Sequence, residues 1–420
     1  MADYDIIVVG GGPAGLAAAI EAKKNGIDNL LLLDRENELG GILQQCIHYG
    51  FGLHVFKEEL TGPEYAERFI NELNELGIEY KTDSMVLDIS PNKEVSYINT
   101  IDGFNTITAK AVILAMGCRE NTRGAVGIPG SRPAGVFTAG TAQRFINMEG
   151  YMIGNKVVIM GTGDIGLIMA RRLALEGAEV KAIMARKPYP GGLMRNVVQC
   201  LHDYNIPLLL CHTITSITGK DRIEGVTVVK LDETGKIIPG SEEFMACDTL
   251  LLSVGLIPEN ELSIKAGVEL DRGSKGPKVN ESRETNIEGI FACGNVLHVH
   301  DIADYVTEES RIAGKAAANY VKGSKKNSDW VIKVEPGRGV GYIVPHTINL
   351  EEVNGNVELF FRVNKLYKNS KLLVKINGNT IKTKKKVHMY PGEMETFKIK
   401  VAALKEHKAS VLSIEVEEVQ

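Results

Sequence analysis

The residues best placed to do chemistry are glycines. Gly10-Gly-Gly-Pro-Ala-Gly15 follows the apolar run Asp5-Ile-Ile-Val-Val9, and Gly161-Thr-Gly-Asp-Ile-Gly166 follows Lys156-Val-Val-Ile-Met160. In such a turn Gly10 or Gly161 permits the tight bend, and Gly12 or Gly163 lets the backbone approach a pyrophosphate. Gly15 or Gly166 then lets the next helix pack closely on its strand. Pro13 and Ala14, or Asp164 and Ile165, open that helix, so the phosphates would sit at a helix N-terminus, where free N–H groups and the helix dipole stabilise negative charge. One such motif is a weak signal; two, each between an apolar strand and a helical run, point to two dinucleotide sites.

The copies differ beyond the third glycine. Asp34 comes nineteen residues after Gly15, where a carboxylate accepts from the ribose hydroxyls of an adenosine; the alternative is that it caps a turn. The same count from Gly166 reaches Ala185, followed by Arg186 and Lys187. An acid there would favour a free 2′-hydroxyl and repel a 2′-phosphate, whereas Ala beside two cations does the reverse. The second site is expected to favour NADPH slightly over NADH; the alternative is that Arg186 and Lys187 are exposed turn residues.

Thiols and imidazoles offer less. Cys46, Cys118, Cys200, Cys211, Cys247 and Cys293 form neither a CxxC nor a CxxxxC pair, which argues against a zinc site, a local redox disulfide or a secreted staple framework. No metal is expected, because the histidines, including His298 and His300 before Asp301, do not complete a ligand quartet. Cys46 and His48 are the catalytic candidates: an imidazole near a thiol favours the thiolate, which could reduce peroxide. The alternative for Cys46 is a buried residue lining a pocket. His48 and His54 flank a Gly-rich loop and either shuttle protons or serve as structural residues.

Elements must hold these groups. Each motif reads as strand, turn, helix and second strand, so the expected class is α/β, with two Rossmann-like three-layer domains. Near residue 330 the texture changes to short alternating runs. Leu372-Leu-Val-Lys-Ile376 meets Asn377-Gly378, a hairpin signal, and Phe397-Lys-Ile-Lys-Val401 alternates. A C-terminal antiparallel β domain, sandwich-like, is expected there. The 420 residues are 44% hydrophobic, enough for two or three cores, and a net charge of −5 gives no footprint for nucleic acid. From Val331 onward, 15 Lys and Arg face 10 Asp and Glu, so the first 330 residues carry −10; Lys384-Lys-Lys386 reads as a protected strand edge. The run from Met1 directly into a strand leaves no room for a signal peptide, and no apolar run spans a membrane; a cytoplasmic location is expected.

The later segments carry a resemblance. Thr285-Asn-Ile-Glu-Gly-Ile-Phe-Ala-Cys-Gly-Asn295 resembles the second FAD motif, T-x-x-x-G-h-F-A-x-G-D, of the pyridine-nucleotide-disulfide oxidoreductase superfamily. Ala115-Met-Gly117 and Ser253-Val-Gly255 resemble the turns that close its nucleotide domains. The resemblance implies an FAD-binding domain split into residues 1–150 and 281–328, an NAD(P)H-binding domain at 151–280, and 329–420 as the β domain. It assigns FAD to the first Gly-rich turn and Asp34, with Arg35, Gly41, Ile42, Val86, Ala115 and Gly117 nearby. Gly294 and Asn295 complete that site, and Val306-Thr307 is expected to open a helix aimed at the flavin. NAD(P)H falls to the second turn, closed by Gly255. Asn295 departs from the family's Asp; an amide still accepts and donates there.

The family's redox cysteines are also absent, since Gly40-Gly41 is followed by Cys46 alone and residues 119–160 contain no cysteine. Gly40-Gly-Ile-Leu-Gln-Gln-Cys-Ile-His-Tyr-Gly-Phe-Gly-Leu-His54, with Glu59-Leu-Thr-Gly-Pro-Glu-Tyr65, is similar to the FAD subunit that bacteria encode beside glycerol-3-phosphate-dehydrogenase-like flavoproteins, and to subunits of amine and opine oxidases. The resemblance implies an oligomeric oxidoreductase moving hydride from NAD(P)H to FAD. Its electrons would leave to O₂, a small acceptor, or a partner flavoprotein or iron–sulfur subunit. The alternatives are a flavin-binding assembly subunit without catalysis and a Cys46 peroxide reductase.

Overall fold

The computed structural model describes residues 2–324, 330–351 and 355–419. In chain order, the elements that position the sites are β1 (Tyr4–Val9), α1 (Pro13–Lys24), β2 (Leu30–Leu33), β3 (Gly103–Leu114), β4 (Lys156–Met160), α2 (Asp164–Leu175), β5 (Glu179–Ala185), β6 (Ile290–Ala292), α3 (Ala303–Val321), β7 (Val340–Val344) and β8 (Asn356–Val363).

The chain forms two compact units, Met1–Cys118 with Pro258–Gln420, and Arg119–Ile257. These borders differ from the expected 150 and 280 for a packing reason. The strand Val136–Thr138 pairs in parallel with Thr249–Leu252, so residues before 150 already belong to the second unit's sheet. Conversely Ala266, Val268 and Val279 are buried with Ile7, Val112 and Ile290 of the first. The expected join at 328–329 lies outside the described residues.

In the first unit β1 pairs in parallel with β2 on one side and β3 on the other, and β6 adds in parallel beyond β3. Sheets covered on both faces need apolar residues at every position, and β1 shows why. Its Ile6 and Val8 pack on the helix side with Leu16, Ala17, Ala313 and Phe291, while Ile7 and Val9 pack on the other face with Val112 and Leu114. Small residues let α1 and α3 approach closely: a Cβ on Gly314 would stand 2.2 Å from Ala18 O.

The second unit repeats the plan as a five-stranded parallel sheet, in the order Val136–Thr138, Thr249–Leu252, β4, β5, Leu208–Leu210. A three-stranded antiparallel sheet, His212–Gly219, Ile223–Lys230 and Glu243–Ala246, accompanies it.

The C-terminal region is a pair of sheets of five and three strands around its own core. Asn377 and Gly378 both have positive φ, 49° and 81°, and connect Tyr367–Ile376 to Asn379–Met389 as the expected two-residue hairpin. Its ladders are antiparallel except Val331–Pro336 with Val411–Glu418, which is parallel. Among the described residues no helix is long and apolar enough to cross a membrane.

Candidate functional site

At the first Gly-rich turn, Gly10 has φ +108°, and a Cβ there would lie 2.4 Å from Ala115 O. A Cβ on Gly15 would fall 1.7 Å from Gly10 O, so helix and strand approach only because it is missing. Gly12 is different, because its Cβ would meet nothing nearer than Gly41 Cα at 3.9 Å, so the outer side of the turn is open. Gly12 is also the N-cap of α1, without a side-chain cap, and Pro13 takes the first helical turn. The N–H groups there are left for an anion.

Asp34 directly follows β2 and is buried. One oxygen, Oδ2, accepts from Gly11 N, and Oδ1 accepts from Glu36 N at 2.8 Å. Burial raises its carboxyl above the ordinary value. Gly41 faces the turn, with a Cβ position 2.9 Å from Gly12 Cα, and Ile42 beside it is 57% exposed. Arg35 is exposed, with Glu36 at 3.7 Å. Ala115 N donates to Val9 O at 2.9 Å, and Gly117 takes φ +72°. Val86 has its side chain in the core with Ile89 and Val95.

The other half of this site is α3. It begins at Ala303, so Val306 and Thr307 lie at the end of its first turn rather than at its start, and its N-cap, Ile302, offers no side-chain cap. Asp304 is favoured in that first turn by the helix dipole. Its carboxylate also accepts from Gly52 N (3.0 Å), His54 N (3.1 Å) and Val55 N (2.8 Å), pinning the Gly-rich loop to the helix. Thr307 Oγ1 is taken up by Tyr65 Oη at 2.7 Å. Gly294 sits so close that a Cβ would be 2.7 Å from Ala14 Cβ, which brings the second motif against the start of α1. Asn295 uses both ends of its amide: Oδ1 accepts from His300 N at 3.0 Å and Nδ2 donates to Cys118 Sγ at 3.6 Å. Two uncapped helix starts, an open glycine face and the apolar Ile42 fit a flavin dinucleotide.

One group escaped the sequence reading. Glu309 of α3 is fully buried and accepts from Arg283 Nε (3.0 Å), His298 Nε2 (3.1 Å), His300 Nε2 (2.9 Å) and Gly294 N (3.0 Å). Burial opposes its ionisation, but His298, His300 and Arg283 outweigh that and hold it well below the ordinary value. Burial holds His298 down at about 4. The imidazoles and Glu309 place three ligand atoms within 4.8 Å of one another. Arg283 already fills the carboxylate, however, and a buried guanidinium would repel a divalent cation, so the geometry is that of a hydrogen-bonded network. The sequence did hold a signal: Glu309 falls on the same helical stripe as Val306, Ala313 and Ala317, where a charge must find partners.

Cys46 does not behave as the candidate thiolate. Its Sγ donates to Ile42 O at 3.3 Å, and burial pushes the thiol up to about 12. His48 Nδ1 pairs with Tyr49 O at 3.0 Å, and its ring lies 5.2 Å from Phe51. Cys293 is fully buried and likewise pushed up to about 12. Among the described residues no two cysteines are joined by a disulfide.

In the second unit Gly161 has φ +106°, and its Cβ would lie 1.9 Å from Ser253 O; that of Gly166 would lie 2.7 Å from Gly161 O. Gly163 is the N-cap of α2, again without a side-chain cap. Asp164 Oδ1 accepts from Leu193 N (2.9 Å) and Asn196 Nδ2 (2.6 Å), so it holds the 193–196 segment beside the turn, while Ile165 is half-buried on α2. Ala185 ends β5, and Arg186 and Lys187 beyond it are exposed. Gly255 O accepts from Asn121 N at 2.9 Å.

Residues 4–319 match the family described as pyridine nucleotide-disulphide oxidoreductase. The chain is similar to the glutamate synthase [NADPH] small chain of Halomonas elongata, 26% identical over 76% of this chain and 68% of that one. It is similar to an opine oxidase subunit of Agrobacterium tumefaciens, 24% identical over 70% of this chain and 61% of the other. Among solved structures, thioredoxin reductase of T. acidophilum shares the fold with a TM-score of 0.62 and 23% identity, over 77% of this chain and all of that one.

Proposed function

Because the chain belongs to the pyridine nucleotide-disulphide oxidoreductase family, whose members use FAD and NAD(P)H, we propose that it oxidises NAD(P)H through FAD and passes the electrons to an acceptor outside the chain. The observation that carries this reading is the pair of uncapped glycine turns, at Gly12 and Gly163, combined with a sequence that holds no CxxC or CxxxxC pair. Bound FAD would supply the two-electron acceptor for a nicotinamide hydride. The chain's own part is to hold one pyrophosphate at α1 and another at α2, and to aim the start of α3 at the flavin ring, where a helix N-terminus favours added negative charge.

The cysteine spacing supports an outside acceptor. A relay needs two cysteines within bonding reach, and no motif here supplies them. Cys46, held protonated, does not favour the peroxide alternative. Similarity to the small chain of glutamate synthase and to a component of opine oxidase supports an acceptor that is itself a partner redox protein. Exposed Arg186 and Lys187 beside Ala185 support NADPH over NADH.

The test is anaerobic mixing of the flavin-loaded protein with NADPH and then NADH while following the flavin absorbance band. Bleaching within seconds with either nucleotide is expected, and faster with NADPH. Colour that persists with both would replace this reading with that of a flavin-binding assembly subunit.

A further inference from the structure

Strand β8 carries residues of two different destinations. Leu359, Phe361 and Val363 point into the core of the C-terminal domain. The alternate positions, Phe360 and Arg362, belong to the opposite face of the pleat, where an exposed sheet would be polar. Phe360 is nevertheless only 2% exposed. Its ring lies 5.7 Å from both His298 and His300, and the Arg283 guanidinium lies 5.9 Å over it. On β7, Tyr342 and Val344 likewise leave the domain's own core and are buried with Val112, Leu114, Ile290 and Ala292.

The contacts converge on one loop, residues 295–302. It leaves the second dinucleotide motif at Asn295 and ends at the uncapped start of α3. Arg362 Nη2 donates to Val299 O at 2.9 Å and to Asp301 Oδ1, while Nη1 donates to Pro391 O at 3.3 Å. The other oxygen of Asp301 accepts from Met394 N, so both oxygens of this carboxylate are held by the C-terminal domain. The loop cannot shift without displacing Asn295 or the first turn of α3.

We propose that the C-terminal β domain is a working part of the FAD site, with Arg362 as the residue that positions the 295–302 loop; this rests on the proposal that the chain binds FAD. A planar guanidinium satisfies Asp301, Val299 O and Pro391 O together, which a lysine ammonium at the end of a flexible stem does not reproduce.

The experiment compares Arg362→Ala, Arg362→Lys, Asp301→Asn and Lys375→Ala with the full-length protein. FAD affinity is measured by fluorescence titration, together with the flavin absorbance maximum and midpoint potential. Lys375→Ala breaks an ion pair with Glu415 (2.7 Å) inside the five-stranded sheet of the same domain and reports loss of domain stability alone. Removing hydrogen bonds to a charged group corresponds to about ten- to a hundredfold, so Arg362→Ala should weaken FAD binding by about that factor and shift both band and potential. Asp301→Asn should move them the same way, Arg362→Lys should recover part, and Lys375→Ala should match wild type. The proposal is overturned if Arg362→Ala and Asp301→Asn keep wild-type affinity, band and potential, or if Lys375→Ala changes them as much. Wild-type protein that takes up no FAD would instead sink the reading on which it rests.

Discussion

Replacing Glu309 by Gln tests the buried network directly. The ionised carboxylate accepts from four donors, Arg283, His298, His300 and Gly294, on two oxygens. Gln keeps one oxygen and turns an NH₂ toward the other pair; the histidine of that pair can switch tautomer and accept, but Arg283 Nε or Gly294 N then faces a donor and the remaining contacts lose the carboxylate's charge, together about two charge-assisted bonds. At about 1.5–3 kcal/mol for each hydrogen bond to a charged group, the loss is about 3–6 kcal/mol. Breaking a buried ion pair from one side gives the same range by a separate route, about 3–5 kcal/mol, because Arg283 is left charged without its partner. At about 1.7 °C per kcal/mol for a unit of about 280 residues, Glu309→Gln should melt at least about 5 °C below wild type. Arg283→Met with Glu309→Gln removes both charges, so the double variant should lose clearly less than the sum of the singles. The assay is differential scanning calorimetry of the four proteins at one pH and one FAD concentration. Melting of Glu309→Gln within about 2 °C of wild type, or strict additivity in the double variant, would refute the reasoning.

Acid should weaken the fold through the same residues. His298 is held at about 4 against 6.5, so the unfolded chain binds a proton that the folded chain refuses. That contribution is complete above pH 6.5 and is lost as the pH falls toward 4, at up to about 1.4 kcal/mol per pH unit. Melting curves at pH 7 and pH 5 should therefore show a larger drop for wild type than for His298→Gln; equal drops would contradict the assignment. Cys46→Ser should leave NADPH-driven bleaching of the flavin unchanged in stopped flow, and a large loss would bring the thiol back into the mechanism. Arg186→Ala with Lys187→Ala should lower kcat/KM for NADPH by about ten- to a hundredfold while sparing NADH, the worth of a charge-assisted phosphate contact. Equal losses for both nucleotides would assign these cations to something other than the 2′-phosphate.

The glycine turns, Asp34 just after β2 and the Asn377-Gly378 hairpin were legible because each is a local event. A tight turn, a close backbone approach or a change of hydrophobic period is written in adjacent residues. The family resemblance over residues 1 to about 325 rested on the same local signals. The unit borders at 118 and 258 were not legible, because they depend on which sheet Val136–Thr138 joins and which core receives Val268 and Val279. Asp304 holds a loop some 250 residues earlier in the chain, and Arg283, His298 and Glu309 become one network only when α3 lies beside β6. Phe360 and Arg362 look like ordinary residues of a half-buried strand until the second face of β8 meets the 295–302 loop. Periodicity and spacing by themselves determined the fold class, the two Gly-rich turns and the lack of a CxxC or CxxxxC motif, since these need only neighbours along the chain. Tertiary structure alone decided that Cys46 is held protonated, that Glu309 is charged, and that the C-terminal domain grips the loop between Asn295 and α3. Burial and charge pairing are properties of three-dimensional surroundings, and the partners here are brought together only by packing.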